Sequence, residues 1–254
     1  MSDVVAAVAV VVPAHDEEET IAACVGSVLD AAHRSRWRLP VSVCVVADRC
    51  TDGTEQRLRH LVSDEIARVE VLPQHRPRPL GVVRNLGARR ALASLPRTPL
   101  DRTWLLHTDA DTAVPETWID DHLRYAHRGA DAVAGRADVQ DYGAITARAQ
   151  RRYQEHVRSG EHGLTHCHVY GANLGVRASL FRAVGGFPGV ANGEDHGLWA
   201  RLVGAGASVC QPNDVRVRTS GRTLGRASGG LADLLRTLSL DDSRPSPRSD
   251  SAPR

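Results

Sequence analysis

Two carboxylates stand two positions apart at the end of a short, largely apolar run. The segment TWLLHTDADT, residues 103–112, carries them as Asp109 and Asp111. In an extended segment both side chains leave the same face, so both could address one divalent cation, or one cation and a ribose hydroxyl. A solvated turn or a helix cap is the alternative, because a D-x-D pair alone occurs often by chance.

Two earlier apolar runs also end in acidic residues. Glu17 lies in PAHDEEE, and Asp48 follows VSVCVVA. The carboxylate of Asp48 could accept hydrogen bonds from the N–H edge of a base, and Glu17 could accept them from ribose hydroxyls. Helix capping by Asp48 and compensation of a helix dipole by Glu17 explain the same residues without a ligand.

A third acidic group, Glu194 and Asp195, opens a predicted helix after the turn GVANG. A carboxylate there could act as a general base that takes a proton from an attacking hydroxyl, or it could only stabilise the helix N-terminus. Upstream, the glycine of Gly171-Ala172-Asn173 would allow backbone to approach a bound sugar closely, although a plain turn is the simpler interpretation.

Arginines near the C-terminus supply planar donors that suit phosphate oxygens. Ordinary surface charge is the alternative interpretation. The set consists of Arg216, Arg218, Arg222 and Arg226.

The candidate residues of the first half follow predicted strands. Up to about residue 110, β-branched runs alternate with helical patterns, which predicts an α/β fold with a Rossmann-like, mostly parallel central sheet flanked by helices. Ligands bind such sheets at the carboxyl ends of the strands, where these polar clusters fall. The predicted strands cover residues 4–12, ended by Pro13, 41–47, 68–73 and 103–107.

The helices and the second half are predicted from spacing and caps. Asp52 and Glu55 stand three apart, as in a capping box, before a predicted helix, and residues 81–95 predict a loop leading into another. Residues 240–254, rich in Ser, Pro and charge, predict a disordered tail. Beyond Asp111 we expect helices at 117–127, 143–158 (polar), after 194 and at 230–238, and strands near 130–139 and 208–220. Residues 168–188 predict a strand, a loop and a short helix.

Composition limits the functional classes. The net charge of +2 gives no reason to expect a nucleic-acid partner. Five cysteines without a C-x-x-C pair predict reduced thiols, and neither a disulfide framework nor structural zinc. The apolar N-terminal stretch lacks a basic leader, and no run reaches about 18 apolar residues, so we expect no signal peptide, no transmembrane segment and a cytoplasmic location.

Five segments, in this order, resemble family 2 glycosyltransferases with the A-type nucleotide-sugar fold, GT-A. They are VVPAHDEEETIAACVGSV, VVADRCTDGT, LLHTDADT, GANLGVRASLFRAVGGF and GEDHGLWARL, and the resemblance covers residues 8–226. It implies transfer of a sugar from a nucleotide diphosphate donor to an acceptor hydroxyl, with inversion at the anomeric carbon and usually with Mg or Mn. It also implies a nucleotide-sugar-binding half, residues 1–112, and a smaller acceptor-binding half, residues 113–238, of one domain.

The resemblance assigns roles by position. Asp111 would coordinate the metal under the diphosphate, Asp109 would lie by the ribose and the metal, and Asp195 would be the catalytic base. Glu194 would help to shape the acceptor site. Around the nucleotide the resemblance implies Pro13, Ala14, Glu17, Asp48, Arg84 and Asn85, and around the sugar or acceptor Gly171, Ala172 and Asn173.

The chain also departs from the family pattern. Asp16 stands where the family commonly has Asn, and Ala47 where many members have a first Asp, so base preference is left open. Neither a Q-x-x-R-W segment nor membrane-spanning helices are found, which favours a non-processive enzyme. No histidine is evident as a third metal ligand, so Arg218 and Arg222 are the candidates for the diphosphate.

Several alternatives stay open. A sugar nucleotidyltransferase would share the sheet and the acids, but the acidic loop PAHDEEE argues against it. A catalytically inactive, nucleotide-binding member is another alternative. The predicted C-terminal helix at residues 230–238 has leucines on one side, which could pack on the domain, form a homodimer, or contact a membrane surface for a lipid-linked rather than a small-molecule acceptor.

Overall fold

The computed structural model describes residues 4–59, 66–142, 145–222 and 231–242. Within these ranges the chain forms twelve strands and eight α-helices. The strands are β1 (Ala7–Ala14), β2 (Val41–Asp48), β3 (Ala67–Gln74), β4 (Thr103–His107), β5 (Thr112–Ala113), β6 (Ala132–Ala134), β7 (Arg136–Asp141), β8 (Glu161–His162), β9 (Thr165–His166), β10 (Leu174–Arg177), β11 (Val209–Cys210) and β12 (Arg216–Ser220).

The helices alternate with the strands in the first half and become less regular in the second. Single turns of 3-10 helix lie at Leu100–Arg102 and Gly171–Asn173. The α-helices are α1 (Ile21–Arg34), α2 (Thr54–Leu58), α3 (Leu80–Ser94), α4 (Trp118–Ala126), α5 (Ala147–Ser159), α6 (Ala178–Ala183), α7 (Glu194–Gly204) and α8 (Leu231–Asp242).

The main sheet has seven strands in the order β11-β6-β10-β4-β1-β2-β3. β1 pairs in parallel with β2 and β4, and β2 pairs in parallel with β3, whereas β10 is antiparallel to both of its neighbours. The predicted α/β class with a mostly parallel central sheet is confirmed. A smaller sheet of order β5-β12-β7 stands beside it.

Both faces of the main sheet are covered, which explains the unbroken apolar runs in its strands. Every residue of β1 and β2 is buried. Val10 and Val12 pack in the same core as Val25 of α1, while Ala9 and Val11 pack in the core on the other face, with α3. Alternate side chains of one strand thus anchor helices on both sides and fix where the strand ends.

The prediction that Pro13 ends the first strand is wrong. β1 continues through Pro13, which pairs with Val46 of β2. On the other side of β1, pairing with β4 stops at Val11 and His107. At Pro13 the strand therefore has one neighbour in the sheet, so a residue without an N–H is tolerated there.

Two predicted helix starts differ from the structure. α3 begins at Leu80, so residues 81–95 are not a loop leading into a helix. The predicted capping box is also absent from α2, whose N-cap is Gly53. Asp52 instead accepts hydrogen bonds from the backbone N–H and the hydroxyl of Thr54, two residues on.

The strand predicted at residues 130–139 is two strands in two sheets. β6 belongs to the main sheet and β7 to the smaller one, and Gly135 separates them. A Cβ on Gly135 would lie 2.3 Å from Nδ2 of Asn173 and 2.5 Å from the carbonyl oxygen of Val215. The chain can therefore cross between the sheets here because this residue has no side chain.

The C-terminal helix is longer than predicted. α8 continues to Asp242, so residues 240–242 of the predicted tail are helical, while residues 243–254 lie outside the described part. Arg226 and Gly143, the first residue of the helix predicted at 143–158, also lie outside the described part. α8 packs on α5 of the same chain with Leu235 buried. In the described residues, the helices are too short or too polar to cross a bilayer.

Candidate nucleotide-sugar site

A cavity of about 970 Å³ lies where β1, β2 and β4 end. Both halves of the chain line it, and it collects most of the candidate residues from the sequence. From the first half these are Pro13, Ala14, Glu17, Asp48, Arg84, Asp109 and Asp111, and from the second half Gly171, Ala172, Glu194, Asp195 and Arg222.

The two aspartates after β4 are held by different arginines. Oδ1 of Asp109 lies 2.5 Å from Nη2 of Arg84, and Oδ2 of Asp111 lies 3.2 Å from Nη2 of Arg222. Burial and the neighbouring Asp109 raise the pKa of Asp111 to about 6, although Arg222 acts in the opposite direction. Burial thus disfavours the charged form of this carboxylate, and a cation bound beside it would stabilise that form.

Arg84 of α3 connects acids from the two halves of the chain. It is fully buried, and besides Asp109 its Nε lies 3.3 Å from Oε1 of Glu194. Burial alone would lower the pKa of Arg84, but Asp109 and Glu194 together raise it. The guanidinium therefore stays charged and ties the end of β4 to the start of α7. The sequence placed Arg84 near the nucleotide and did not indicate this bridge.

Arg222 forms a bidentate ion pair with Glu17. Its Nη1 and Nη2 lie 2.8 and 2.7 Å from the two carboxylate oxygens of Glu17, which is 6% exposed. Hydrogen bonding to Glu17 raises the pKa of Arg222 above its ordinary value. Because the same guanidinium reaches Asp111, one arginine serves both the loop after β1 and the loop after β4.

Asp48, the last residue of β2, offers an acceptor to the cavity. Its Oδ1 is buried and has no hydrogen-bond partner among the described residues, while Oδ2 lies 3.5 Å from Nη2 of Arg49. The backbone carbonyl of Asp48 accepts a hydrogen bond of 2.5 Å from Nδ1 of His15. A buried carboxylate oxygen without a donor is costly, so this atom suits an N–H group of a ligand.

Asp195 stands in the first turn of α7 and lines the same cavity as the residues at the strand ends. Gly193 caps the helix in the left-handed conformation, with φ of 72°. The backbone N–H of Gly171 donates to Oδ2 of Asp195 at 3.0 Å, and that of His196 donates to Oδ1 at 2.8 Å. Both oxygens are oriented by backbone, so the carboxylate has a defined direction.

Three residues assigned from the sequence do not line the cavity. Asn85 makes two hydrogen bonds with the backbone of Phe187, because it lies on a different side of α3 from Arg84. Asn173 is fully buried below the surface of the cavity. Arg218 is exposed, whereas the next two residues of β12, Thr219 and Ser220, line the cavity.

Aromatic and apolar residues from the second half of the chain also line the cavity, and the sequence indicated only the leucines among them, as one side of the C-terminal helix. They come from α5, from the segment after β9 and from α8. The rings of His168 and Tyr170 stack with centroids 5.6 Å apart. Tyr153 is a bulky side chain on an otherwise polar helix, which was the available signal for a buried face. The set comprises Tyr153, His156, His168, Tyr170, Leu231 and Leu234.

Comparison with known proteins identifies the family. The model of glycosyl transferase family 2 matches residues 9–185. The chain belongs to this family. The match begins in β1 and ends after α6, so it includes the acids at the ends of β1, β2 and β4 and the turn at residues 171–173. No curated protein sequence matches the chain.

Solved structures share the GT-A fold of this family 2 protein. A mannosyltransferase of Pyrobaculum calidifontis, PcManGT, in complex with GDP-Man and Mn²⁺, aligns with a TM-score of 0.61 at 19% identity, over 92% of this chain and 61% of that one. TarS of S. aureus, residues 1–349, with UDP-GlcNAc aligns with a TM-score of 0.61 at 14% identity, over 92% and 66%. This chain thus spans less than two thirds of either protein.

The residues of this family 2 chain fit a divalent cation at the D-x-D pair. Asp109 and Asp111 supply carboxylate oxygens, and Mg²⁺ in proteins is commonly held by one or two carboxylates together with phosphate oxygens of the substrate. Burial and the neighbouring Asp109 raise the pKa of Asp111 in spite of Arg222, and a bound cation would stabilise its charged form. Elsewhere in the described residues, one group of three potential ligands occurs, Asp16, Cys50 and Asp52, outside the D-x-D pair.

Proposed function

We propose that this chain is a non-processive, inverting glycosyltransferase that moves a sugar from a nucleotide diphosphate sugar to an acceptor hydroxyl. One observation carries the proposal: a single cavity is lined both by the acids Asp109 and Asp111, which follow β4, and by the backbone-oriented carboxylate of Asp195, in the first turn of α7. Family 2 membership supports the same reaction class. The division of acids matches a reaction that needs a stabilised leaving group and an activated nucleophile.

On the donor side, the free oxygen of Asp48 accepts the N–H of the base, and Pro13 and Ala14 line the nucleoside pocket with Glu17. Asp109 and Asp111 hold Mg or Mn, which would neutralise the charge that develops on the diphosphate as it leaves. Arg222 already lies between these loops, so we assign the diphosphate contact to it and not to Arg218.

On the acceptor side, Asp195 accepts the proton of the attacking hydroxyl. The acceptor oxygen then bonds to the anomeric carbon while the bond from that carbon to the diphosphate oxygen breaks, and the electron pair leaves with the diphosphate. A direct displacement of this kind inverts the anomeric centre. Glu194, held by Arg84, and Gly171 with Ala172 border the space for the acceptor.

The two structural relatives were solved with nucleotide sugars that have different nucleobases. PcManGT was solved with GDP-Man and TarS with UDP-GlcNAc, so both bases belong in the test. We would titrate the protein with UDP and GDP, with and without Mn²⁺, and screen UDP-, GDP- and dTDP-sugars for hydrolysis. We expect one nucleotide to bind, more tightly with Mn²⁺, and its sugar to be hydrolysed slowly.

Matched variants make the binding result specific. Asp48→Ala removes the proposed base contact and should weaken nucleotide binding about tenfold or more, as expected when a buried hydrogen bond to a charged group is lost. Asp30→Asn removes a carboxylate from the exposed side of α1 and should leave binding unchanged. Failure of every nucleotide diphosphate to bind would refute the proposal, and binding without hydrolysis would favour an inactive, nucleotide-binding member.

A further inference from the structure

Asn173 uses its full hydrogen-bonding capacity in the interior of the protein. Its Oδ1 accepts from Nε1 of Trp118 and from Nε2 of His122, both at 2.9 Å. Its Nδ2 donates to the backbone carbonyls of Arg136 at 2.8 Å and Val215 at 3.1 Å. Because the nitrogen faces two carbonyls, the orientation of the amide is fixed and His122 must be the donor in its bond.

These four bonds join three separate parts of the fold. Trp118 and His122 belong to α4, Arg136 opens β7 of the smaller sheet, and Val215 immediately precedes β12. The side chain of Asn173 fills the space that Gly135 leaves open between the two sheets. The buried amide of Asn173 makes all of its hydrogen bonds, which favours one well-defined arrangement, while Nδ1 of His122 has no hydrogen-bond partner among the described residues.

Asn173 is also the last residue of the 3-10 turn that begins at Gly171. Its own N–H bonds to the carbonyl of Tyr170 at 3.0 Å, so the turn moves as a unit. Gly171 in turn donates its N–H to Oδ2 of Asp195. On its other side Gly171 lies against Arg84, where a Cβ would be 2.6 Å from Nη2. The turn therefore has little freedom to shift.

We propose that Asn173 is a positioning residue of the transfer reaction, which acts by holding the N–H of Gly171 against the carboxylate of Asp195. The inference rests on the proposed function of Asp195 as the base. Asn173 does not line the cavity, so it acts through the turn and not on the substrate. If the turn moves, Asp195 loses one of these two hydrogen bonds and keeps the one from its neighbour His196, which allows the carboxylate to rotate away from the acceptor.

Two variants weaken the network by different amounts. Trp118→Phe keeps an aromatic ring and removes one of the two donors to Oδ1 of Asn173. Asn173→Asp keeps the shape but places an oxygen against the carbonyls of Arg136 and Val215. The control is Ile119→Val, which trims a buried side chain of the same helix. Comparing them separates an effect on the turn from a general loss of stability.

The first readout is hydrolysis of the UDP- or GDP-sugar that the wild type accepts. We expect kcat to fall about tenfold in Trp118→Phe and further in Asn173→Asp, with the donor KM within about twofold of wild type, because misplacing a reacting group affects the chemical step more than binding. Ile119→Val should retain the wild-type kcat. Equal kcat in Trp118→Phe and Ile119→Val would overturn the inference, even if Asn173→Asp fails to fold.

The second readout is hydrogen exchange at the amide of Gly171, which needs no substrate. We expect about tenfold faster exchange in Trp118→Phe than in Ile119→Val, because the bond to Asp195 opens more often when the turn is loosened. Unchanged exchange would contradict the inference. If no donor is hydrolysed by the wild type, the proposed function fails, and the exchange result still decides whether the network holds this contact.

Discussion

The wall of the cavity built by residues 13–111 is placed by parallel strands, whereas the wall built by residues 153–222 is placed by hydrogen bonds between distant segments. In the first wall, Asp48 and Asp109 stand where strands with fully buried residues end. In the second, Asp195 depends on the N–H of Gly171, and that turn depends on Asn173. The first wall, which we propose binds the donor and call the donor wall, therefore has a local cause. The second, which we propose binds the acceptor and call the acceptor wall, has a long-range one.

The difference predicts different responses to mutation. A strand end is fixed by many apolar contacts, so no single side chain near it should be decisive. The acceptor wall relies on a few satisfied polar groups, and loss of one partner leaves the others buried and unpaired, which is costly. The variants below change a residue of one wall, the arginine that connects the two walls, or the contact between the two sheets, and so test this contrast.

The largest expected effect separates the walls functionally. Asp195→Asn should lower donor hydrolysis about 10²- to 10⁴-fold, since that is the usual contribution of a general base. Nucleotide binding should be unchanged, because Asp195 makes none of the proposed base, ribose and diphosphate contacts. Steady-state kinetics and calorimetric titration with UDP and GDP measure the two quantities. A variant that keeps the wild-type rate would show that another group is the base.

The next effect concerns the residue that joins the walls. Arg84→Met leaves Asp109 and Glu194 without their shared cation, and breaking a buried ion pair in this way costs about 3–5 kcal/mol. Urea denaturation at pH 7 measures the loss of free energy of unfolding.

Arg90 on the same helix provides the matched control. It pairs with Glu70 at 2.6 Å, but its side chain is 56% exposed, so Arg90→Met should cost no more than about 1 kcal/mol. Equal losses in the two variants would mean that burial of Arg84 between the walls has no special energetic role.

The sequence was sufficient to predict the donor wall. Runs of buried, β-branched residues located the strands within a few residues, and the polar residues directly after them had to meet at one edge of the sheet. The GT-A fold and the family followed from the same segments. In this wall a residue's place in the local pattern also determines its place in the fold: Asp109 follows the buried strand β4 in sequence and therefore lies at the edge of the sheet.

The acceptor wall could be predicted only in part. Motifs in the sequence indicate the turn of Gly171 and the acids of α7. They predict that Asn173 borders the sugar or acceptor, because its buried partners lie 37 to 55 residues away in sequence. The division of residues 130–139 between two sheets depends on the side chain of Asn173 entering at Gly135, which no periodicity reveals. The bridge made by Arg84 spans 110 residues.

A smaller effect tests the gap between the two sheets. Gly135→Ala should cost about 1–3 kcal/mol, because the added methyl group meets both Asn173 and a backbone carbonyl that cannot rotate away. In the first half, Gly26 lies within α1 with open space around its Cβ position, so Gly26→Ala should stabilise the protein by about 0.5–1 kcal/mol. Thermal or urea unfolding of both variants gives the comparison, and a neutral Gly135→Ala would contradict close packing there.

The smallest net effect is a pH dependence to which two buried groups contribute with opposite signs. Burial lowers the pKa of His122 from 6.5 to about 4, so the unfolded chain binds a proton there more readily than the folded one. Its neutral form is accommodated fully above pH 6.5, and stability is lost as the pH falls from 6.5 towards 4. Burial raises the pKa of Asp111 from 3.8 to about 6, so stability there is lost as the pH rises through that window.

Urea denaturation between pH 4.5 and 6, with a chelator present, would resolve the two contributions. Each group changes the slope by about 1.4 kcal/mol per pH unit within its window. His122→Gln should remove a slope that favours high pH, and Asp111→Asn should remove one that favours low pH, whereas His75→Gln at an exposed position should change neither. If His122→Gln and Asp111→Asn changed the slope in the same direction, burial would not shift the pKa values of these two groups in opposite directions.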